Sequence, residues 1–267
     1  MFDRVTYDEQ NVYINGFKLS GVQGVDGEFN VPYVNLQAIG LNTTHNVAQG
    51  PLEAQFGVSR YIVGDDPIRY LTGEFFTTGH LEYGGKTFGF HTGYLTNYNV
   101  SVAVGEIPQL QTDFITYGSI GGGISSPTTN PAGYPIEITK ANSISSTLDE
   151  ASTNRVVSFD YTVNVNREPY YGMGSLIPFQ IDTIYPIEIA LSLNVEIDDS
   201  YECNELKSLI CSPLIQNIQL DFRTCDSSSS IISYSMSNAK LYSEKWGSSV
   251  NNSAVINLVY KTILERG

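Results

Sequence analysis

Histidines, cysteines and paired carboxylates are the residues of this 267-residue chain that could carry chemistry, and their spacing gives them little to do together. His45, His80 and His91 stand apart, and only Glu82, two residues after His80, lies at a spacing a metal could use. On alternating strands such histidines are expected at the surface or at a pocket edge, with no metal site. Cys203, Cys211 and Cys225 are odd in number and contain no Cys-x-x-Cys pair, which argues against a disulfide framework and a zinc site and leaves reduced thiols. Gly121 to Gly123 lacks the Lys-Ser/Thr of a phosphate-cradling loop. Gly174-Ser175 does not complete a nucleophile elbow, because Ile177 stands where the last glycine belongs. The pairs Asp65/Asp66 and Asp198/Asp199 have the residue types of a glycosidase, but adjacency in sequence does not place two groups across a bond, so turn and helix-cap roles are expected. No catalytic, cofactor-binding or metal residue is expected, and the chain reads as non-enzymatic.

The elements around these residues are strands. Only 16% of residues are charged, while 18 Tyr, 12 Phe and 24 Gly accompany many Ser, Thr and Asn, and Ala-, Glu- and Lys-rich helical runs are missing. Lys and Arg number 14 against 28 Asp and Glu, a formal charge of −14 that disfavours a surface built to grip phosphates. The first twenty residues lack the apolar core of a signal peptide, and no window approaches a bilayer-spanning length. The expectation is a soluble protein made in the cytoplasm, with the sequons at Asn42, Asn99 and Asn251 carrying little weight.

Period-two alternation marks half-buried strands at Leu52 to Ile62, Phe88 to Ile107, Thr112 to Tyr117, Val157 to Val165, Ile187 to Ile197, Ile215 to Arg223, Ile231 to Met236 and Ala254 to Tyr260. Short pieces at Val12 to Ile14 and Phe17 to Val25 read as a hairpin or bulged entry, and Glu74 to Phe90 as a hairpin tipped by Tyr83-Gly84-Gly85-Lys86. Asp65-Asp66-Pro67 signals a short helix start, and Cys203 to Cys211 suits a two-turn helix bearing Leu206, Leu209 and Ile210. Phe88 to Ile107 is echoed by Phe179 to Ile197, with Phe88, Thr92, Tyr94, Ser101 and Val104 falling on Phe179, Thr183, Tyr185, Ser192 and Val195; Val58-Ser59-Arg60 is mirrored by Val165-Asn166-Arg167. A duplication follows: a first β domain over 1–125 and a second over 126–267, with 119–135, rich in Gly, Pro and Ser, as linker or exposed loop.

Gly-Pro-Leu-Glu at 50–53, Val-Ser-Arg-Tyr at 58–61, Asp-Asp-Pro at 65–67 and Gly93 to Phe114 make the first half resemble tail tube and related tail structural proteins of bacteriophages. Val-Asn-Arg-Glu at 165–168, Ser175, Pro178, Tyr185-Pro186 and Glu188 to Ile197 are similar to a further domain of that type. The resemblance implies two tandem β-sandwich or barrel domains, each with at most one short helix. It also implies a virion structural protein, assembled in the host cytoplasm, whose copies complete rings that stack into a conduit for DNA ejection. The partners would be the chain itself, as a trimer of duplicated subunits or a hexamer, and other tail proteins: tape measure, terminator, baseplate and sheath. DNA would pass without specific binding, with no membrane involved and no cofactor. The alternatives are another tail or baseplate component, a head decoration protein, or, from a different class, a carbohydrate-binding β-sandwich module.

Overall fold

The computed structural model describes residues 6, 9–31, 33–36, 45–48, 50–64, 66–73, 75–118, 120–125, 144–147, 155–197, 214–223, 230–248 and 254–266. The expected helix at Cys203 to Cys211 and most of the expected linker lie outside them. The chain is mainly β, with no α-helix among these residues. Asp66-Pro67 starts only a 3-10 turn, Pro67–Tyr70, in which the Asp66 carboxylate accepts the Ile68 N–H at 3.0 Å as an N-cap does. Ile120–Gly122, inside the segment expected to be a loop, is a short strand against Phe88–Phe90.

The strands are β1 (Gln10–Ile14), β2 (Phe17–Lys18), β3 (Val22–Asn30), β4 (Tyr33–Leu36), β5 (His45–Ala48), β6 (Glu53–Tyr61), β7 (Thr77–Tyr83), β8 (Lys86–Ala103), β9 (Gln109–Thr116), β10 (Ile120–Gly122), β11 (Ile144–Thr147), β12 (Val156–Asn164), β13 (Arg167–Tyr170), β14 (Gln180–Thr183), β15 (Ile187–Glu196), β16 (Ile215–Arg223), β17 (Ser230–Gly247) and β18 (Val255–Leu264). One antiparallel sheet runs β3-β6-β9-β8-β12-β15-β18-β17. Inward positions along the alternation, Phe56, Val58, Val100, Phe114, Tyr161, Leu191, Leu193 and Leu258, are buried, but Val104, the next of its series, lies past the end of β8 and is 68% exposed.

β8 and β17 are each 18 residues long because each serves two layers. The first part of β8 pairs with β7 and β10, and its second part with β9 and β12. The first part of β17 pairs with β16, and its second part with β18. Packing across the layers is aromatic. Phe90, early in β8, meets Phe56 edge-on at 5.1 Å, and Tyr234, early in β17, lies 5.0 Å from Tyr161. A single contiguous cluster of buried side chains joins both halves of the chain.

Within the sheet, β8 lies tight against its neighbour β7 at Gly89. A Cβ there would stand 2.3 Å from the Gly79 carbonyl oxygen and 2.5 Å from His80 Cβ, and backbone cannot step aside. Gly89→Ala is therefore expected to cost about 1–3 kcal/mol, read as a lowered urea midpoint at unchanged m.

The two halves repeat one another strand for strand, although not as the sequence echo suggests. β3-β6-β9-β8 and β12-β15-β18-β17 share one connectivity, and their registers coincide pair by pair. Leu95↔Phe114 matches Leu241↔Tyr260, and Ser101↔Gln109 matches Gly247↔Val255; the bulge between β8 and β9 at Thr96 falls at Tyr242 between β17 and β18. The bulge after Val22↔Arg60 returns after Val156↔Val195, and Asn30↔Glu53 matches Asn164↔Glu188. The hairpins β4–β5 and β13–β14 match as well, Tyr33↔Ala48 with Arg167↔Thr183. The counterpart of β8 is thus β17, and that of β15 is β6. The echo of Phe88 to Ile107 in Phe179 to Ile197 joins strands that hold different places, because alternation and a few Ser and Val identities are common to any half-buried strand.

Candidate functional site: a polar sheet face and its two open edges

Those candidate residues weighed from sequence that are described do not come together. His80 is buried, not at the surface: it stacks on Tyr13 at 4.7 Å, and burial lowers its pKa while the Glu82 charge pulls the other way. His91 is exposed on β8, and the His45 side chain and all three cysteines lie outside the described residues. No group of three or more His, Cys, Asp or Glu suited to a metal occurs among the described residues. Ser175 donates to the Ile177 carbonyl at 2.5 Å in an exposed turn. Asp65, Asp198 and Asp199 lie outside the described residues, but Asp66 has a structural role. It accepts from the buried Arg60 guanidinium and, at 2.6 Å, from the Tyr98 hydroxyl, which also meets the Tyr234 hydroxyl at 2.7 Å. Burial first, and then the Asp66 charge, raise the pKa of both phenols. The chain of bonds clamps β6, β8 and β17 and leaves no room for substrate.

The feature with chemical character is the other side of the sheet. Registers put Asp26, Glu28 and Asn30 (β3), Glu53, Gln55 and Ser59 (β6), Gln109, Gln111 and Asp113 (β9), Asn97, Asn99 and Ser101 (β8), Ser158, Asp160, Thr162 and Asn164 (β12), and Glu188, Ser192, Asn194 and Glu196 (β15) on one continuous face. No lysine or arginine stands among these positions. The amides and hydroxyls tie the strands together: Asn97 donates to Asp113 at 3.0 Å, Asn99 to Thr162 at 2.7 Å, Asn194 to Ser158 at 2.7 Å, and Asn257 of β18 to Ser192 and Asn194 at 2.9 Å each. Lysines enter only at the far end, with Lys240 and Lys245 on β17 and Lys261 on β18, the last paired with Glu188 at 2.8 Å. From β3 to β15 the polar positions named on this face offer no cation to phosphate. Such a face can stand beside a polyanion without holding it.

Among the described strands, both ends of this sheet are open. β3 pairs with β6 and with no other described strand. Among the described strands, the stretch of β17 from Tyr242 to Gly247 pairs with β18 alone, since β16 leaves β17 at Lys240. Gln180 to Thr183 and Arg167 to Tyr170 form a separate hairpin that carries exposed Met173, Leu176, Ile177 and Phe179 at its tip, with Leu176 accepting from the Leu52 N–H at 3.2 Å. Long open strand edges are what monomeric β-proteins avoid.

No family model matches this sequence, and no curated protein compared with it does.

Proposed function

We propose that the protein is a bacteriophage tail tube subunit: copies add side by side into rings of three duplicated chains, and the stacked rings form the conduit through which DNA leaves the head. The observation that carries the reading is the polar face without Lys or Arg on six of eight antiparallel strands, in a sheet left open at both ends among the described strands. A conduit wall for DNA needs a lining that repels phosphate, or at least does not grip it, and Asp26, Glu28, Glu53, Asp113, Asp160, Glu188 and Glu196 supply that. Two like units in one chain suit a ring of sixfold character built from three chains. On this reading the chain is not an enzyme, the division into 1–125 and 126–267 is a tandem duplication, and the exposed hairpin tip at Met173 to Phe179 meets a neighbouring ring or another tail protein.

The test is electron microscopy of the purified protein over a concentration series without added partners. Rings of three chains with an open centre, lengthening into tubes as concentration rises, are expected. Particles that stay single at every concentration would remove the tube reading, and rings that never lengthen would move it to a terminator or baseplate role.

A further inference from the structure

The chain contains one finished copy of a junction whose two halves it also carries unfinished. In the middle of the sheet β8 pairs with β12, Val102↔Phe159, Ser101↔Asp160, Val100↔Tyr161, Asn99↔Thr162, Tyr98↔Val163 and Asn97↔Asn164. The counterpart of β8 is β17 and that of β12 is β3, and these are the two open edges. Burial tells the halves apart: Val100 is 0% exposed and Val163 4%, whereas their counterparts Trp246 and Phe29 are 53% and 58% exposed. The same positions that the internal junction covers are left bare at the ends.

We infer that β17 of one copy pairs with β3 of the next in the register of the internal junction: Ser248↔Val25, Gly247↔Asp26, Trp246↔Gly27, Lys245↔Glu28, Glu244↔Phe29 and Ser243↔Asn30. The occupant of each open edge is a second copy of this chain. Three features support the match independently of the repeat. Strand direction alternates along all eight strands, so a copy added by simple rotation brings β17 and β3 together antiparallel, as every other neighbour pair in this sheet is. Lys245 meets Glu28, joining a lysine of the basic end to a carboxylate of the acidic end. Trp246, the largest side chain on its edge, faces Gly27, over which the half-buried Phe88 ring lies and offers an aromatic surface to pack on. One pair further out, Val31 and Tyr242, 38% and 71% exposed, take the places of Val165 and Thr96, whose backbone N–H to O distance is 2.8 Å. The inference rests on the tube reading only for the number of copies that close a ring.

Asn30 and Ser243 are the counterparts of Asn164 and Asn97. The bond from the Val165 N–H to the Thr96 carbonyl makes the latter a non-hydrogen-bonded pair, the kind in which Cα atoms stand about 4.5 Å apart and a disulfide can form. The full chain carrying Asn30→Cys and Ser243→Cys is oxidised and run without reductant. The unvaried protein runs alongside to account for Cys203, Cys211 and Cys225. Intermolecular links ending at a fixed number of chains are expected, and the pair Asn30→Cys with Lys245→Cys, two residues out of register, should link poorly. Electrostatics gives a second readout that leaves the fold alone, since Glu28 and Lys245 are exposed. Glu28→Lys weakens each junction about fivefold, Lys245→Glu does the same, and the two together restore assembly. Rings that form without the in-register link, or that link out of register, would overturn the inference and leave the tube reading standing. A double charge swap no better than either single change would also overturn it. A protein that never self-associates would sink both.

Discussion

Asp66→Ala is expected to destabilise the protein by about 3–5 kcal/mol, enough on its own to unfold a marginal domain. The carboxylate is 1% exposed and faces the Arg60 guanidinium, which is 4% exposed and receives no water in exchange when its partner goes. Removal also strips the cap from Ile68 and the acceptor from the Tyr98 hydroxyl. The cost is therefore that of an unpaired buried cation plus broken hydrogen bonds, not the small worth of a surface ion pair. Urea unfolding followed by circular dichroism would show the midpoint falling with m unchanged. Tyr98→Phe should cost less, about 1–3 kcal/mol, because Arg60 keeps its carboxylate. Replacing both charges, Arg60→Met with Asp66→Leu, should recover much of the loss, since two well-packed apolar groups need no partner. A change below about 1 kcal/mol for Asp66→Ala would mean that the Arg60 charge is solvated in a way this geometry does not provide.

The strands were legible because each has one wet face. Val157 to Val165 and Ile187 to Ile197 alternate cleanly, and they are β12 and β15. What alternation cannot report is which strand pairs with which. It suggested two pieces at Glu74 to Phe90 and Phe88 to Ile107 where β8 is one strand, and it ended the Ile231 run at Met236 where β17 continues to Gly247. In both places the strand crosses from one layer to the other at a bulge, and the inward phase changes there. The true repeat had a weaker sequence trace than the false one. Asn30-Val31 answers Asn164-Val165, and Pro51-Leu52-Glu53 answers Pro186-Ile187-Glu188, at almost the same spacing in both halves. These residues sit where strands begin and end, so they carry positional information that Ser and Val in mid-strand do not. Asp66 was legible as a cap and nothing more. Its second role depends on Tyr98 and Tyr234, separated from it by 32 and 168 positions in the chain, and no local pattern brings them together. The polar face was foreshadowed only by the net charge, because its residues come from six strands and share a surface only once the registers are known.

Alkaline pH should unfold the protein cooperatively, with the loss beginning above pH 10. Burial raises the pKa of Tyr98, Tyr161 and Tyr234, that of Tyr161 up to about 12, against an ordinary value of 10.0. A phenol whose folded value is raised stays protonated in the native state while the unfolded chain releases its proton. Its contribution is therefore intact below pH 10 and is lost as pH climbs toward the folded value. Each such group removes about 1.4 kcal/mol per pH unit in that window, so the three together remove about 4. Two units of pH then withdraw about 8 kcal/mol, the size of a typical domain's whole stability. Tyrosinate absorbance should accordingly rise in two phases. The buried phenols give up their protons only in the second, as the near-ultraviolet circular dichroism collapses. Tyr161→Phe removes one of these slopes without removing a hydrogen bond of the Asp66 network, so stability between pH 10 and 12 should fall less steeply in that variant. A single absorbance phase centred near pH 10 with native dichroism would show that water reaches the Tyr98–Tyr234 pair, and with it the seam where β8 and β17 hold the two halves together.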